Sequence, residues 1–372
     1  MKKIGITGVN GFFGQHLFNT LSQNENNILI PFQKFFFDNE SKMDDFVKNC
    51  DVIVHLAGLN RSNDEDVIYK VNISLTKALI SSLERTKSKP HIIFTSSTQE
   101  SLKNVYGESK KISRLNLKDW SLSNNSIFTG LIVPNVFGPF GAPFYNSFIS
   151  TFSHQLTNNE IPEIKIDSEV NLIYIDELIS EIVDIINHPI SNDFYKIKHT
   201  NTKRVSEILE LLNLFKNEYL DNGQIPRLEL KSFELNLFNT FRSYIPQKYF
   251  PRNFQKHTDK RGAFVEIVRA GSAGQFSYST TVPGITRGDH YHTRKIERFA
   301  VISGKALIQI RKIDSDEVYE YIVDGAEPAY VDMPIWYTHN IKNIGNTELI
   351  TLFWINEPYN PEDADTYFVN VQ

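Results

Sequence analysis

The stretch I-G-I-T-G-V-N-G-F-F-G, residues 4–14, decides the fold of the first half of the chain. A short apolar run passes into a glycine-rich turn, and a helical pattern begins at once. Gly8 permits the tight turn, Gly11 lets a pyrophosphate approach the backbone, and Gly14 lets the next helix pack closely on the strand. The free N–H groups and the dipole of that helix would then face the phosphates. The spacing is G-x-x-G-x-x-G, not G-x-G-x-x-G. Its place between a first strand and a first helix favours a dinucleotide site over an ordinary turn.

Outward from this turn, Ile4–Thr7, Ile28–Phe32, Val52–Leu56, Ile92–Thr95 and Ile127–Val133 read as buried strands. Apolar character on both faces suits a parallel sheet covered by helices. Helical stretches near 14–23, 66–87 and 106–118 lie between them, and Val205–Tyr219 reads as another. The alternation predicts a doubly wound α/β fold. Residues 244–256, Y-I-P-Q-K-Y-F-P-R-N-F-Q-K, carry two prolines and no clear period, and read as a linker. Beyond it come short β-branched and aromatic runs: Ala263–Val268, Gln275–Thr281, Arg298–Ile302, Ala306–Arg311, Glu317–Val323 and Leu349–Trp354. Gly, Asp and Pro punctuate them, which predicts an all-β sandwich or barrel such as a jelly roll. The expected organisation is a dinucleotide-binding domain over 1–243, a linker over 244–256 and a β-domain over 257–372.

Composition bounds the function. A chain of 372 residues exceeds the usual size of one domain. The net charge is −5 and no Lys/Arg cluster occurs, so no nucleic-acid partner is expected. The single cysteine, Cys50, excludes an intramolecular disulfide and fits a reducing cytoplasm. The N-terminal apolar run is too short for a signal peptide or a membrane span. The expectation is a cytoplasmic protein with no membrane partner.

Two further constellations carry chemistry. Tyr106 and Lys110 stand in Y-G-E-S-K, on one face of a helix if it forms. An ammonium beside a phenol favours the phenolate, so this pairing predicts a lowered tyrosine pKa and a tyrosine that exchanges protons during hydride transfer. The cofactor would be NADPH, because the second strand ends P-F-Q-K with Lys34 where an NAD site places a carboxylate. The other constellation is G-I-T-R-G-D-H-Y-H-T-R-K-I-E-R-F-A-V-I-S-G, residues 284–304. On a strand His290 and His292 point the same way and Tyr291 points opposite. Glu297 could return on the next strand and His339 could join from a later one. Imidazoles with a carboxylate suit a divalent metal, zinc first, with iron, manganese or nickel as alternatives.

The motifs TGVNGFFG, DVIVHLAG (51–58), FTSST (94–98), YGESK (106–110) and PNVFGP (134–139) resemble the extended short-chain dehydrogenase/reductase family. The resemblance implies a Rossmann-type sheet. It implies Tyr106 as acid/base, Lys110 on the nicotinamide ribose and Ser97 holding the substrate carbonyl. It places Gly8, Gly11, Phe12, Gly14, Lys34, Leu56, Ala57 and Gly58 around the cofactor and Asn135 at the substrate. Two positions depart from the pattern: Ile132 replaces a frequent arginine, and only nine positions separate Ser97 from Tyr106, with Thr98 a neighbouring substitute.

Residues 284–304 are similar to the first motif of the cupin family, G-x5-H-x-H-x4-E-x6-G. The second motif is partial: Pro334, His339 and Asn343 fit, but Trp336 replaces its glycine. This implies a cupin jelly-roll barrel with His290, His292, Glu297 and His339 as metal ligands. The flanks D-K-R-G-A-F-V-E (259–266) and W-I-N-E-P-Y-N-P-E-D-A-D-T-Y (354–367) resemble nucleotide-sugar 3- and 3,5-epimerases. The base of those metal-free enzymes corresponds to His290, here a ligand, which leaves Asp289, Lys295 and Tyr337 as candidates.

A reductase of this kind fused to an epimerase-like cupin resembles bifunctional enzymes of capsular polysaccharide synthesis. That implies a UDP-linked 4-keto-6-deoxy-N-acetylhexosamine. The cupin would epimerise C3 of a UDP-2-acetamido-2,6-dideoxy-4-hexulose. The first domain would reduce C4 with NADPH to UDP-N-acetyl-6-deoxy-L-talosamine, in a homodimer. Two rival readings remain: a reductase or dehydratase whose cupin only binds or dimerises, and a non-catalytic nucleotide-sugar sensor.

Overall fold

The computed structural model describes residues 1–254, 256–259, 262–265, 267–268, 274–357 and 360–372, with backbone only at 256–259 and 262–265. Lys260, Arg261 and Glu266 of the D-K-R-G-A-F-V-E flank, and Pro358 and Tyr359 of the tail, lie outside the described residues. In chain order the helices are α1 (Phe12–Ser22), α2 (Glu40–Lys48), α3 (Glu65–Thr86), α4 (Val105–Asn124), α5 (Phe148–Thr157), α6 (Ile175–Asn187), α7 (Val205–Phe215) and α8 (Phe233–Arg242). The chain divides into two compact units. One is 1–148 with 166–205, and the other is 149–165 with 206–372.

The first unit is built on a six-stranded sheet of β1 (Lys2–Thr7), β2 (Asn27–Ile30), β3 (Val52–His55), β4 (His91–Ser97), β5 (Phe128–Val133) and β8 (Asn192–Lys196). The order is β2-β1-β3-β4-β5-β8, and every pair is parallel. The apolar runs at both faces therefore form the expected doubly wound sheet. Phe46, Ile53, Leu79, Leu83, Ile92 and Leu117 are among its buried core. A second, three-stranded sheet joins β6 (Asn135–Phe137), β7 (Glu169–Tyr174) and β9 (Asn201–Arg204). α6 shows why local sequence suffices here: Ile175, Leu178, Ile179, Ile182, Ile185 and Ile186 recur at helical spacing and are all buried.

Beyond residue 251 the described residues of the second unit form strands and one 3-10 turn, Pro361–Asp363. One antiparallel sheet has the order β10 (Arg252–Asn253), β18 (Ala329–Met333), β15 (Glu297–Ser303), β20 (Leu349–Ile355), β13 (Gln275–Thr281). The other has the order β17 (Val318–Asp324), β16 (Lys305–Lys312), β19 (Tyr337–Asn343), β14 (Thr286–Tyr291), β21 (Tyr367–Phe368). A hairpin, β11 (Lys256–Asp259) with β12 (Gly262–Val265), completes it. Phe299, Val301, Ile308, Ile310, Val331 and Ile341 lie in one buried core.

Residues read as linker do structural work here, since Arg252 and Asn253 pair with β18. The helix expected over Val205–Tyr219 ends at Phe215 and continues as a π-helical turn, Lys216–Asp221. The turn has a reason. It delivers Tyr219 to a buried polar knot in which Tyr219 donates to Asp332 and Arg298 forks onto the same carboxylate at 2.7 and 3.0 Å. The Arg298 guanidinium also stacks 3.9 Å over the Tyr330 ring. Removing one member of such a buried pair costs about 3–5 kcal/mol, because the other charge is left desolvated.

Candidate functional site

The candidate cofactor cleft lies at the carboxyl ends of β1, β3 and β4. Gly8 has φ +77°, and the Gly11 amide returns to its carbonyl at 3.0 Å. A Cβ on Gly14 would lie 2.2 Å from the Gly8 carbonyl oxygen and 2.7 Å from Val9 Cα, so only glycine lets α1 start this close to the turn. α1 begins at Phe12 with Gly11 as its cap and no side chain on its first amides. That leaves N–H donors for an anion. Leu56, Ala57 and Gly58 follow β3. The Ala57 amide donates to Thr7 Oγ1 at 3.3 Å, and Gly58 faces Asn72 and the Lys110 ammonium. Lys34 is exposed and opens a short 3-10 turn after β2.

Tyr106 and Lys110 both lie on α4, whose N-cap Asn104 accepts from the Gly107 amide at 2.7 Å. A Cβ at Gly107 would lie 2.0 Å from the Gln99 carbonyl oxygen, so this glycine brings the first turn of α4 against the turn after β4. That close approach is how nine positions suffice between Ser97 and Tyr106. Ser97 ends β4 and accepts from the Gln99 amide at 3.1 Å; Thr98 starts the 3-10 turn. The Tyr106 pKa runs opposite to the expectation. Burial, with Tyr145 nearby, pushes it up to about 12. Lys110 is itself buried, 4.3 Å above the Phe94 ring, and burial brings it down to about 7 against the pull of Glu100. Desolvation is the largest influence on both groups. Asn135 is exposed at the start of β6, and Ile132 is buried in β5.

The sequence reading passed over two residues of this cleft. Asn72, buried in mid-helix on α3, accepts from the Leu59 amide at 2.7 Å and donates to Leu59 O and Ser109 Oγ at 3.1 and 2.9 Å. It ties the loop after β3 to α4. His55 is fully buried and bonded to Thr7 Oγ1 at 2.7 Å, and burial pushes it down to about 3. The only local signal for either was a polar residue within an apolar run.

The second cluster joins His290, His292, Glu297 and His339, whose ligand atoms all lie within 4.8 Å of one another. His290 sits at a bulge in β14 and pairs with His339 on β19; Glu297 opens β15 in the other sheet. His292 lies just past the end of β14, so bulge and turn, not simple strand alternation, aim the two imidazoles together. Glu297 Oε2 is 3.2 Å from His292 Nε2 and 3.1 Å from His339 Nε2. His339 Nε2 is fully buried and not in line for a hydrogen bond despite that distance. Four ligand atoms this close have the spacing of donors around one cation. Burial opposes charge on Glu297, but the facing imidazoles hold it well below the usual carboxylate range. His290 is pushed down to about 4 by burial and then by its two histidine neighbours. Burial opposes charge on His292, but Glu297 and the Asp365 carbonyl raise its pKa. A carboxylate at Glu297 and a neutral ring at His290 are the states that bind metal, and a cation at His292 would have to displace a proton.

Trp336 takes φ +61°, the left-handed region its motif glycine would occupy, while its amide bonds His292 O at 2.7 Å and its ring stacks on Tyr291. Of the candidate bases, Asp289 accepts from Asn340 Nδ2 at 2.9 Å and buried Lys295 donates to the Ala364 carbonyl. Tyr337 packs against the β-core, and burial pushes it up to about 12.

Residues 4–197, more than half of the chain, match the NAD dependent epimerase/dehydratase family. The chain belongs to that family. Residues 257–367 of this epimerase/dehydratase-family chain match the polysaccharide biosynthesis C-terminal domain. A Pseudomonas aeruginosa protein described as UDP-2-acetamido-2,6-beta-L-arabino-hexul-4-ose reductase is 30% identical over 373 residues, 99% of each chain. The solved structure of capsular polysaccharide assembling protein CapF from Staphylococcus aureus is 33% identical. It covers 99% of this chain and 100% of that one, with a TM-score of 0.61. The Bacillus subtilis spore coat polysaccharide biosynthesis protein SpsL is 27% identical over 124 residues, 31% of this chain and 82% of that one. The family member described here is thus CapF-like along its whole length. Among the described residues, no helix is long and apolar enough to cross a membrane.

Proposed function

We propose that this CapF-like chain is a bifunctional cytoplasmic enzyme acting on a UDP-linked 4-keto-6-deoxy-N-acetylhexosamine in surface polysaccharide synthesis. Residues 257–372 form a cupin domain that epimerises C3. Residues 1–243 form a reductase that converts the C4 ketone to the alcohol of UDP-N-acetyl-6-deoxy-L-talosamine, with 244–256 joining them in each protomer of a homodimer. The observation that carries this reading is full-length likeness to a relative described as a reductase of a UDP-hexul-4-ose.

In the reductase, the Gly8–Gly14 turn would hold NADPH, with Lys34 toward a 2′-phosphate, and the cofactor when bound would supply the hydride. Tyr106, kept protonated by burial, donates its proton to the C4 oxygen, and Ser97 orients that oxygen. Lys110 lies beside Gly58, where it would meet the nicotinamide ribose, and Asn135 would contact the sugar. In the cupin, His290, His292, Glu297 and His339 would hold a divalent cation, zinc first, and such a cation when bound would supply Lewis-acid stabilisation of the charge that develops on the ketone oxygen as the adjacent carbon loses its proton. Of the three base candidates, Asp289 lies within the β14 bulge beside His290.

The deciding experiment supplies the full chain with a UDP-4-keto-6-deoxy-N-acetylhexosamine and NADPH in deuterated water. Deuterium at C3 and a C4 alcohol are expected by mass spectrometry and NMR. Reduction without C3 exchange would leave the β-domain as a binding module only.

A further inference from the structure

We propose that Asp365, in the C-terminal tail, is a positioning residue that sets the tautomer and aim of His292 in the His/Glu cluster. The inference rests on the metal reading above and concerns a residue outside the ligand set.

Asp365 is 4% exposed, and its backbone takes φ +42°, a conformation that costs a side-chain-bearing residue free energy. Its two ends hold one short segment. Its carbonyl oxygen lies 2.5 Å from His292 Nδ1. Its carboxylate closes on the next three residues. Oδ1 accepts from the Thr293 amide at 3.0 Å and the Thr293 hydroxyl at 2.6 Å, and Oδ2 accepts from the Arg294 and Lys295 amides at 3.0 and 3.1 Å. That turn, 293–296, is the chain between ligands His292 and Glu297.

The chemistry follows from donor and acceptor roles. A carbonyl oxygen only accepts, so Nδ1 of His292 carries the proton. With Nδ1 held as a donor, Nε2 is the nitrogen left for a cation, which would replace the proton that Nε2 shares with Glu297 Oε2 at 3.2 Å. The carboxylate holds three consecutive amides that would otherwise need other acceptors. The tail continues the grip: Tyr367 pairs with Tyr291, Phe368 pairs with His290, and the Val369 amide donates to Asp289 O at 2.9 Å. Loss of partners that orient ligands typically costs about 10–100-fold in metal affinity.

The test titrates the full-length protein, stripped of metal, with Zn2+ against a chromophoric chelator, and records the visible spectrum of the Co2+ form. Asp365→Asn keeps one acceptor oxygen but turns the other into a donor facing the Arg294 and Lys295 amides. The expected result is a Zn2+ Kd raised about 10–100-fold and an altered Co2+ ligand-field band in protein that is still folded. An unchanged Kd and Co2+ band, whatever the melting temperature, would overturn the proposal and leave Asp365 a purely structural tie. Should Asp365→Asn not fold, Thr293→Val removes only the hydroxyl bond to Oδ1. A several-fold rise in Kd supports the proposal and none overturns it. A wild-type chain that binds neither ion tightly would instead overturn the metal reading itself, and the inference with it.

Discussion

The turn at Gly8–Gly14 and the cluster at His290–His339 are both candidate sites for something small and charged, yet they are made in opposite ways. The first is backbone. Its donors are amides, and its side chains matter chiefly by being absent, as at Gly14, where a Cβ would meet the Gly8 carbonyl. The second is side chain. Three imidazoles and one carboxylate come from two facing sheets, and a bulge and a tail aim them. A backbone site is written in consecutive residues; a side-chain site is distributed over distant strands. The first should therefore fail by steric exclusion and the second by loss of individual ligands.

The largest effect that could break this comparison is functional separation. Tyr106→Phe should slow NADPH-dependent ketone reduction by about 10²–10⁴-fold while C3 deuterium exchange, followed by NMR, stays at the parent rate. A parallel fall in both would show that the two regions do not act separately. In the opposite direction, His339→Ala, or chelation, should slow C3 exchange by roughly 100-fold or more, since several kcal/mol of charge stabilisation are lost. NADPH binding, read by fluorescence, should not move.

Stability sharpens the contrast. Trp336→Gly would relieve left-handed backbone strain of about 1–2 kcal/mol but delete a buried ring worth about 3–5 kcal/mol. Packing should win, so denaturant melts should show a net loss of about 1–4 kcal/mol. A stabilised variant would mean that strain dominates. Gly14→Ala should cost about 1–3 kcal/mol, since its neighbours are backbone and cannot yield, and should weaken NADPH binding. The smallest effect is on pH. Lys110, brought down to about 7 by burial, loses its charge as pH rises through that value, whereas Tyr106 stays protonated to about 12. Reductase kcat/KM, which reports the free enzyme, should therefore fall up to about tenfold per unit above pH 7. A profile flat from pH 6 to 9 would show that Lys110 does not titrate there.

Much of the architecture was legible because it depends on local patterning. The parallel strands read as apolar on both faces, and Gln275–Thr281 appears as expected. Short elements escaped: β10 hides in a proline-containing stretch, and β18 and β19 pair only through distant partners. The nucleotide turn was readable because a glycine requirement is a property of one residue and its neighbours. The protonation states were not. The Y-x-x-x-K spacing pointed to an acidic phenol, but the fold buries both groups and reverses the sign for Tyr106. Asn72 and Asp365 were illegible for a related reason: each acts on a residue outside its own local pattern, Asn72 on Ser109 in another helix and Asp365 on residues seventy or more positions earlier.

By itself, the sequence determined which residue types could meet a phosphate, a proton or a cation, because glycine, tyrosine, histidine and glutamate bring that chemistry with them. Tertiary structure decided how those groups are charged and aimed. Burial sets the cost of an ion, and a hydrogen bond to one ring nitrogen of His292 determines what the other can offer.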